Sequence, residues 1–355
     1  MSSTSKPATS SATSEFYYAC RNGLTGAVLE QLPKMTLIEI DQVQANGSTA
    51  LHAASFYGHA EIVKLLLEKG ASRSIRNRHQ CLPCDEAGTP EMKALFVRAS
   101  SDRFVNDELD PVAWIKYDAT ADALTKNYRL RQTGFRWTSK SIEHLLTHIK
   151  ADMSDSKQER ILTFLNEAQT DPMRLLQAYT VESNFYRNLN RDVATMHVDQ
   201  STNVGLTYFI DFFYKYPALE SLSYVGRVYR GMIISQDNLS EYSAGRKVLS
   251  KSFLSTSTNR SVAEGFIKRE TSNRAAQRGS DIQMCALCIL EITNRRTGLG
   301  IDIVSEYQDE KEVLVGPCTA FLITGVRRIS SNYAEIDLRE CEAVNENDDD
   351  DDYDD

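Results

Sequence analysis

Residues 47–71 read GSTALHAASFYGHAEIVKLLLEKGA and contain two short patterns of helical type. Apolar residues recur at helical spacing in each half of this stretch, and Gly58 and His59 separate the two halves. The stretch therefore predicts two short helices joined by a turn.

The same pattern returns along the chain with a period of 33 residues. The recurring positions are Thr49, Leu51, His52 and Ala54, which return as Leu82, Cys84, Asp85 and Ala87. A looser copy, YYACRNG, precedes them at residues 17–23. The period and the residues resemble the ankyrin repeat, and this resemblance implies an all-α solenoid of about three repeats over residues 15–100.

Three further motifs occur in the second half of the chain: VYRG at residues 228–231, SFLSTSTN at 252–259 and EKEVLVGP at 310–317. The planar guanidinium of Arg230 can give two parallel hydrogen bonds to a pyrophosphate. Gly231 lets a ligand approach the backbone closely. Ser255, Thr256 and Ser257 offer three consecutive hydroxyls. Taken singly, the arginine and the hydroxyls are also typical of surface charges and turns.

Glu310 and Glu312 are separated by one residue. In an extended segment that spacing points both carboxylates to the same side. The alternative for this pair is a solvated acidic loop, SEYQDEKE.

The three motifs, in this order, together with the helix AYTVESNFYRNLNR at residues 178–191, resemble the arginine-specific mono-ADP-ribosyltransferases of the R-S-E type. That group includes vertebrate cell-surface enzymes and related bacterial toxins. The resemblance covers about residues 153–337. The chain departs from the family at Gly316, where a second proline is common, and it carries repeats where the cell-surface enzymes carry a signal peptide and disulfides.

The resemblance implies a role for each motif residue, with NAD as the substrate. Arg230 anchors NAD, Ser255 orients the nicotinamide ribose, and Glu312 is the catalytic carboxylate that stabilises the sugar cation. Glu310 positions the acceptor guanidinium. Phe266 occupies a place where the family packs an aromatic ring against nicotinamide, although a place in the helix core is equally compatible with its position. Gly231, Thr256 and Ser257 complete the predicted NAD site.

The order of elements after residue 153 predicts an α+β domain, for which the resemblance implies a split β-sheet core. One helix is expected over residues 173–196, begun by Asp171 and Pro172, and a second over 202–216. Strands are expected at 227–234, 247–254, 284–292, 313–315 and 319–326. The predicted chain is thus a disordered start (1–14), repeats (15–100), a connecting region without an assigned fold (101–152), the catalytic domain (153–340) and a disordered acidic tail (341–355).

Charge and composition exclude several classes of function. The formal net charge is −9, but nine acids lie within the tail, so the folded body is close to neutral and nucleic acid is not an expected partner. No run of eighteen apolar residues and no secretory pattern is present, so we expect a cytoplasmic protein with seven reduced cysteines. Two CxxC pairs, at 81–84 and 285–288, lie too far apart in sequence to suggest a zinc site.

These observations predict an enzyme that transfers ADP-ribose from NAD to an arginine of a protein target, which the ankyrin repeats bind. Two alternatives remain open at this point. One is an NAD glycohydrolase that uses the same site with water as the acceptor. The other is a non-catalytic ankyrin adaptor with a decayed transferase fold.

Overall fold

The computed structural model describes residues 13–98, 105–106, 114–116, 140, 158–181, 184–195, 204–234, 239–240, 242–277 and 284–341. Nearly all of the predicted disordered start, most of the connecting region and the acidic tail after Cys341 lie outside these residues. Two short segments of the connecting region are described, and both are strands.

Short helices build the N-terminal domain, as the repeat pattern predicts. They are Glu15–Arg21, Thr25–Gln31, Leu37–Ile40, Ala50–Phe56, Ala60–Lys69 and Pro90–Ala94, with a 3-10 turn at Leu32–Lys34. Their apolar faces share one core, in which Leu51, Ile62 and Leu66 are almost fully buried. Gly70 ends the longest of these helices in the left-handed conformation, which glycine adopts without strain.

The 33-residue period has a direct structural counterpart in a backbone hydrogen bond that both copies make, at the start of a helix in the first copy and in a turn in the second. The Thr49 hydroxyl accepts a hydrogen bond from the His52 N–H. In turn, the His52 ring accepts a hydrogen bond from the Thr49 N–H over 3.3 Å. One period later, the Asp85 carboxylate accepts from the Leu82 N–H over 2.7 Å. His52 and Asp85 therefore make the same contact with different side chains: each accepts a hydrogen bond from the backbone N–H three residues earlier.

The helices of the second domain are Gln158–Glu167, Arg174–Thr180, Asn184–Thr195, Val204–Lys215 and Arg260–Gln277. The single helix expected over residues 173–196 is wrong, because the chain leaves the helical conformation at Val181, which is extended at φ −61° and ψ 135°. Thr180 is the last residue of its helix, and its carbonyl becomes important in the site described below.

The sheet contains β1 Val105–Asn106, β2 Trp114–Lys116, β3 Ser223–Tyr224, β4 Gly226–Ile234, β5 Lys247–Ser250, β6 Leu254–Ser257, β7 Met284–Ile292, β8 Gly298–Gly300, β9 Glu312–Val315, β10 Ala320–Arg328 and β11 Tyr333–Glu340. Strand order is β2-β5-β10-β11-β7-β4-β6-β9-β8-β3, and β1 pairs with β4. β4 and β6 meet at one residue pair, Tyr229 with Ser257, so the sheet is nearly divided there. The strand expected at 247–254 is divided in the structure: β5 pairs with β10, whereas β6 pairs with β9.

Strand β7 is buried on both faces. Cys285, Leu287 and Ile289 pack beneath the helix Arg260–Gln277, whereas Cys288 and its alternate neighbours pack on the opposite face. The two cysteines of the second CxxC pair therefore point apart, as their spacing predicts. Among the described residues, no group of three His, Cys, Asp or Glu side chains could hold a metal ion. No helix in the described part is long and apolar enough to cross a membrane.

Buried polar contacts join the repeats to the second domain. Arg160, on the first helix of the second domain, forms an ion pair with Asp41 and donates to the Gly70 carbonyl over 3.1 Å. The Glu159 carboxylate accepts from the Leu37 N–H over 3.0 Å. The ankyrin repeats are thus packed directly on the α+β domain.

Candidate active site

Three adjacent strands, β4, β6 and β9, carry the three motifs that the sequence singled out. Arg230 lies on β4 and is buried, and its Nη1 donates to the Ser255 carbonyl on β6 over 2.6 Å. This bond crosses the place where β4 and β6 part. The structure therefore brings the arginine motif and the hydroxyl motif together at the division of the sheet.

The hydroxyl motif and the glutamates meet through the antiparallel pairing of β6 with β9. Ser257 lies opposite Glu312, so the two side chains lie on the same face of the sheet, and Ser255 follows on that face opposite Leu314. The Ser257 hydroxyl donates to the Glu310 carbonyl over 2.7 Å. Ser257 thus fixes the backbone from which the first glutamate extends. The Glu312 side chain is fully buried.

Two other residues predicted to contact NAD, Thr256 and Gly231, lie within strands of the sheet. Thr256 is fully buried and its hydroxyl donates to the Val313 carbonyl over 2.6 Å, so this side chain joins β6 to β9, and its contact with NAD stays a prediction. Gly231 pairs with Leu287 of β7 on one side and with Val105 of β1 on the other.

Phe266 lies in the apolar cluster beneath the helix Arg260–Gln277. This is the helix-core place that the sequence left open. The guanidinium of Arg269 lies 4.3 Å from the centre of the Phe266 ring. A contact of Phe266 with nicotinamide stays a prediction.

The extended conformation expected for the two glutamates is wrong. Glu310 ends a 3-10 turn, Gln308–Glu310, and Lys311 between the glutamates has a left-handed backbone with φ 48°. Strand alternation therefore cannot orient the pair. A hydrogen-bonded arginine, Arg98, orients Glu310 instead, and against the lowering effect of its burial the charges of Glu310 and Glu312 both raise the pKa of Arg98.

Arg98 comes from the end of the ankyrin repeats and reaches the glutamates of the second domain. Its Nε lies 3.0 Å from Glu310 Oε1, and its Nη2 lies 3.0 Å from Glu310 Oε2. Burial by itself lowers the pKa of Arg98, but the charge and hydrogen bonds of Glu310, with the charge of Glu312, outweigh burial and hold that pKa above its ordinary value. Arg98 is therefore a permanent cation inside the site.

An aromatic ring and a backbone carbonyl complete the surroundings of this guanidinium. The Arg98 Cζ lies 3.8 Å from the centre of the Tyr307 ring, and the Arg73 guanidinium lies 4.9 Å from the same ring. Nη1 and Nη2 of Arg98 both donate to the Thr180 carbonyl over 3.2 Å. The break in the helix at Val181 makes that carbonyl accessible.

Glu306 fixes the loop before the glutamates to the repeats. Its carboxylate accepts from the Ser74 hydroxyl over 2.6 Å, from the Arg73 N–H over 3.0 Å and from the Gln177 amide over 2.9 Å. The Glu306 N–H donates to the Thr180 hydroxyl over 3.1 Å. Residues 305–311 are therefore held from two sides, by the repeats and by the helix Arg174–Thr180.

A sequence model of the NAD:arginine ADP-ribosyltransferase family matches residues 169–346, which is half of the chain. The chain belongs to this family. ADP-ribosyltransferases use NAD as their substrate, and this chain is an NAD-dependent ADP-ribosyltransferase with a second, N-terminal module. A model of the ankyrin repeat matches that module at residues 46–78.

Individual relatives resemble parts of this ADP-ribosyltransferase. An ankyrin repeat-containing protein of Schizosaccharomyces pombe is 35% identical over 69 residues, which are 19% of this chain and 32% of the relative's length. The type III effector XopAI of Xanthomonas axonopodis pv. citri, in a structure truncated by 70 N-terminal residues, is 18% identical in structural alignment, with a TM-score of 0.41 over 62% of this chain and 96% of that truncated chain. The ADP-ribosyltransferase HopU1 of Pseudomonas syringae is 15% identical, with a TM-score of 0.38 over 64% of this chain and all of that protein.

Sequence reasoning missed four residues of the site: Arg98, Thr180, Glu306 and Tyr307. Glu306 and Tyr307 lie within SEYQDEKE, a stretch that stood out for its two later glutamates. An aromatic residue three positions before Glu310 was the available signal. Arg98 carries no local pattern, because it is a single arginine after the last repeat and 212 residues from its partner.

Proposed function

We propose that this ADP-ribosyltransferase modifies arginine side chains of proteins. The observation that carries the proposal is the pair formed by Glu310 and Arg98: the glutamate two residues before Glu312 binds a guanidinium through two parallel hydrogen bonds of 3.0 Å. A carboxylate and the face of Tyr307 form a subsite whose shape and charge suit a guanidinium. Water needs neither group for its orientation.

In the proposed reaction, Glu312 stabilises the sugar cation that develops as nicotinamide leaves. A buried carboxylate held in place on β9 acts on a developing positive charge more strongly than on neutral ribose. The bond between the ribose anomeric carbon and nicotinamide breaks, and nicotinamide keeps the electron pair. Arg230 and Ser255, which are joined by the hydrogen bond to the Ser255 carbonyl, would hold NAD beside Glu312.

Glu310 would then prepare the acceptor. An arginine is almost always protonated, so one of its nitrogens becomes nucleophilic only as it gives up a proton. A carboxylate that binds the guanidinium can accept that proton while the new bond to the anomeric carbon forms. Atoms and charge balance, because the guanidinium loses one proton and gains ADP-ribose.

The protein that carries the acceptor arginine would bind to the ankyrin repeats. Several aromatic side chains of the repeats are exposed, among them Tyr18, Phe56 and Tyr57. Exposed aromatic residues are enriched at protein interfaces. Because the repeats pack directly on the catalytic domain, a protein bound there would have a raised effective concentration at the active site.

The experiment compares two readouts on one preparation of the wild type and of Glu310→Gln. Nicotinamide release reports cleavage of NAD, and labelling of agmatine reports transfer to a guanidinium. In Glu310→Gln we expect release to continue with water as the acceptor, while transfer falls by at least about tenfold, because a hydrogen bond to a charged group is worth about 1.5–3 kcal/mol. Equal loss of both activities would contradict the assigned role of Glu310. Release without any transfer by the wild type at saturating agmatine would identify an NAD glycohydrolase.

A further inference from the structure

The subsite proposed for the acceptor guanidinium is filled by an arginine of the same chain. Arg98 is 1% exposed, and its three guanidinium nitrogens all have partners in Glu310 and the Thr180 carbonyl. The Tyr307 ring covers its face at 3.8 Å. A second guanidinium cannot bind Glu310 in this way while Arg98 remains there.

The backbone of Arg98 is fixed as well as its side chain. The Nη1 of Arg269, on the helix Arg260–Gln277, donates to the Arg98 carbonyl over 2.9 Å. On the other side, Phe96 belongs to the core of the repeats. Arg98 is thus anchored between the repeat core and the catalytic domain, so a movement of the end of the repeat stack would withdraw it from Glu310.

The repeats also hold the loop that carries Glu310. Ser74 bonds Glu306, Arg76 donates to the Gln308 side chain over 2.6 Å, and the Cys84 thiol lies 3.6 Å from the Asp309 carboxylate. A movement of the repeats would therefore alter the Arg98 contact and the loop together. This arrangement links the protein-binding module to the acceptor subsite.

We propose that Arg98 is a pseudosubstrate: it occupies the acceptor subsite and excludes protein arginines until the end of the repeat stack is displaced. The inference rests on the proposed function, because it assumes that Glu310 receives the acceptor. Arg98 acts as an inhibitor and not as an acceptor, because both of its terminal nitrogens donate hydrogen bonds to the Thr180 carbonyl. Binding of a target to the repeats would displace the end of the repeat stack.

The test measures nicotinamide release and agmatine labelling by the full chain across a range of agmatine concentrations. If Arg98 fills the subsite in more than nine molecules of ten, the apparent KM for agmatine is raised at least about tenfold. Arg98→Ala should therefore lower this KM by about tenfold or more and leave the KM for NAD within about twofold. Arg98→Lys keeps the charge beside Glu310 but loses the two-pronged geometry, so it should fold normally and lower the KM by a smaller factor.

Arg21→Ala is the matched control, since it removes another repeat arginine, whose partner is the Tyr57 hydroxyl and not the loop that carries Glu310. Its KM for agmatine should equal that of the wild type. An unchanged KM in folded Arg98→Ala and Arg98→Lys, with transfer intact in all proteins, would refute the pseudosubstrate and leave the proposed function standing. ADP-ribose on Arg98 of the wild type would also refute it. Failure of every variant to label agmatine, with continued nicotinamide release, would refute both proposals.

Discussion

Glu312 illustrates how a single side chain obtains its chemistry from the strands around it. It begins β9, lies opposite Ser257 and is fully buried. A buried carboxylate is costly unless the surroundings satisfy it, so its presence in a short strand indicates a use other than stability. The proposed use is to stabilise a cation that exists only in the transition state.

Replacing this carboxylate should affect turnover more than binding. In Glu312→Gln we expect kcat for nicotinamide release to fall by roughly 10²–10³, which is typical of losing one preorganised charge-stabilising group, with little change in NAD affinity. Rate measurements and equilibrium NAD binding on the same protein separate the two effects. Glu291→Gln, which changes an exposed side chain near the end of β7, is the control, and its rate should be that of the wild type. Unchanged turnover in Glu312→Gln would remove Glu312 from the mechanism.

At the scale of elements, the helix Ala50–Phe56 depends on a neutral histidine for its cap. The Thr49 N–H points at His52 Nδ1, so Nδ1 is the acceptor, and His52 Nε2 then donates to the Cys81 carbonyl over 3.0 Å. Protonation of Nδ1 would remove that acceptor. Burial lowers the pKa of His52 below its ordinary value, which is consistent with a ring held neutral.

This cap should make the repeats sensitive to mild acid. Because the pKa of His52 is lower in the folded than in the unfolded chain, its stabilising contribution is complete above about pH 6.5 and is lost as the pH falls toward the folded pKa. Hydrogen exchange in Ala50–Phe56, corrected for intrinsic rates, should show more frequent opening below that pH. His52→Gln retains a cap acceptor but cannot titrate, so its opening should not change over this range. A variant with the same pH response as the wild type would assign the effect to another group.

At the scale of the whole molecule, the two domains share buried charges. Burial raises the pKa of Asp41, and this effect exceeds the lowering of that pKa by the charge of Arg160. The desolvation of this pair therefore costs considerable free energy. Such a pair adds little net stability compared with apolar packing, but removing one member leaves the other buried without its counter-charge. These contacts connect the stability of the catalytic domain to that of the repeats.

Breaking the Asp41–Arg160 pair should destabilise the full chain. In Asp41→Ala we expect a loss toward the lower end of about 3–5 kcal/mol, because Arg160 keeps the Gly70 carbonyl as a partner. Glu68→Ala, which breaks the exposed pair with Lys64, should cost no more than about 0.5 kcal/mol. Urea unfolding of both variants provides the comparison. Equal, small effects would mean that the domains are joined by other contacts.

The sequence by itself determined the repeat module, the family of the catalytic domain and most of its strands. The 33-residue period is local and repeated, and the apolar run of β7 is continuous from Met284 to Leu290. Each of these patterns depends on near neighbours along the chain, so it can be read without the fold. The ordered motifs likewise fixed Arg230, Ser255 and Glu312 as candidates before their proximity was known.

Only the tertiary structure decided what occupies the proposed acceptor subsite. Three local features follow from partners that are distant in sequence. They are the helix break at Val181, the left-handed backbone of Lys311 and the separation of β5 from β6. The Arg98–Glu310 pair spans 212 residues and two domains. Neither residue alone predicts the other, because a buried ion pair depends on complementary geometry and desolvation, which exist only after the repeats have packed on the catalytic domain.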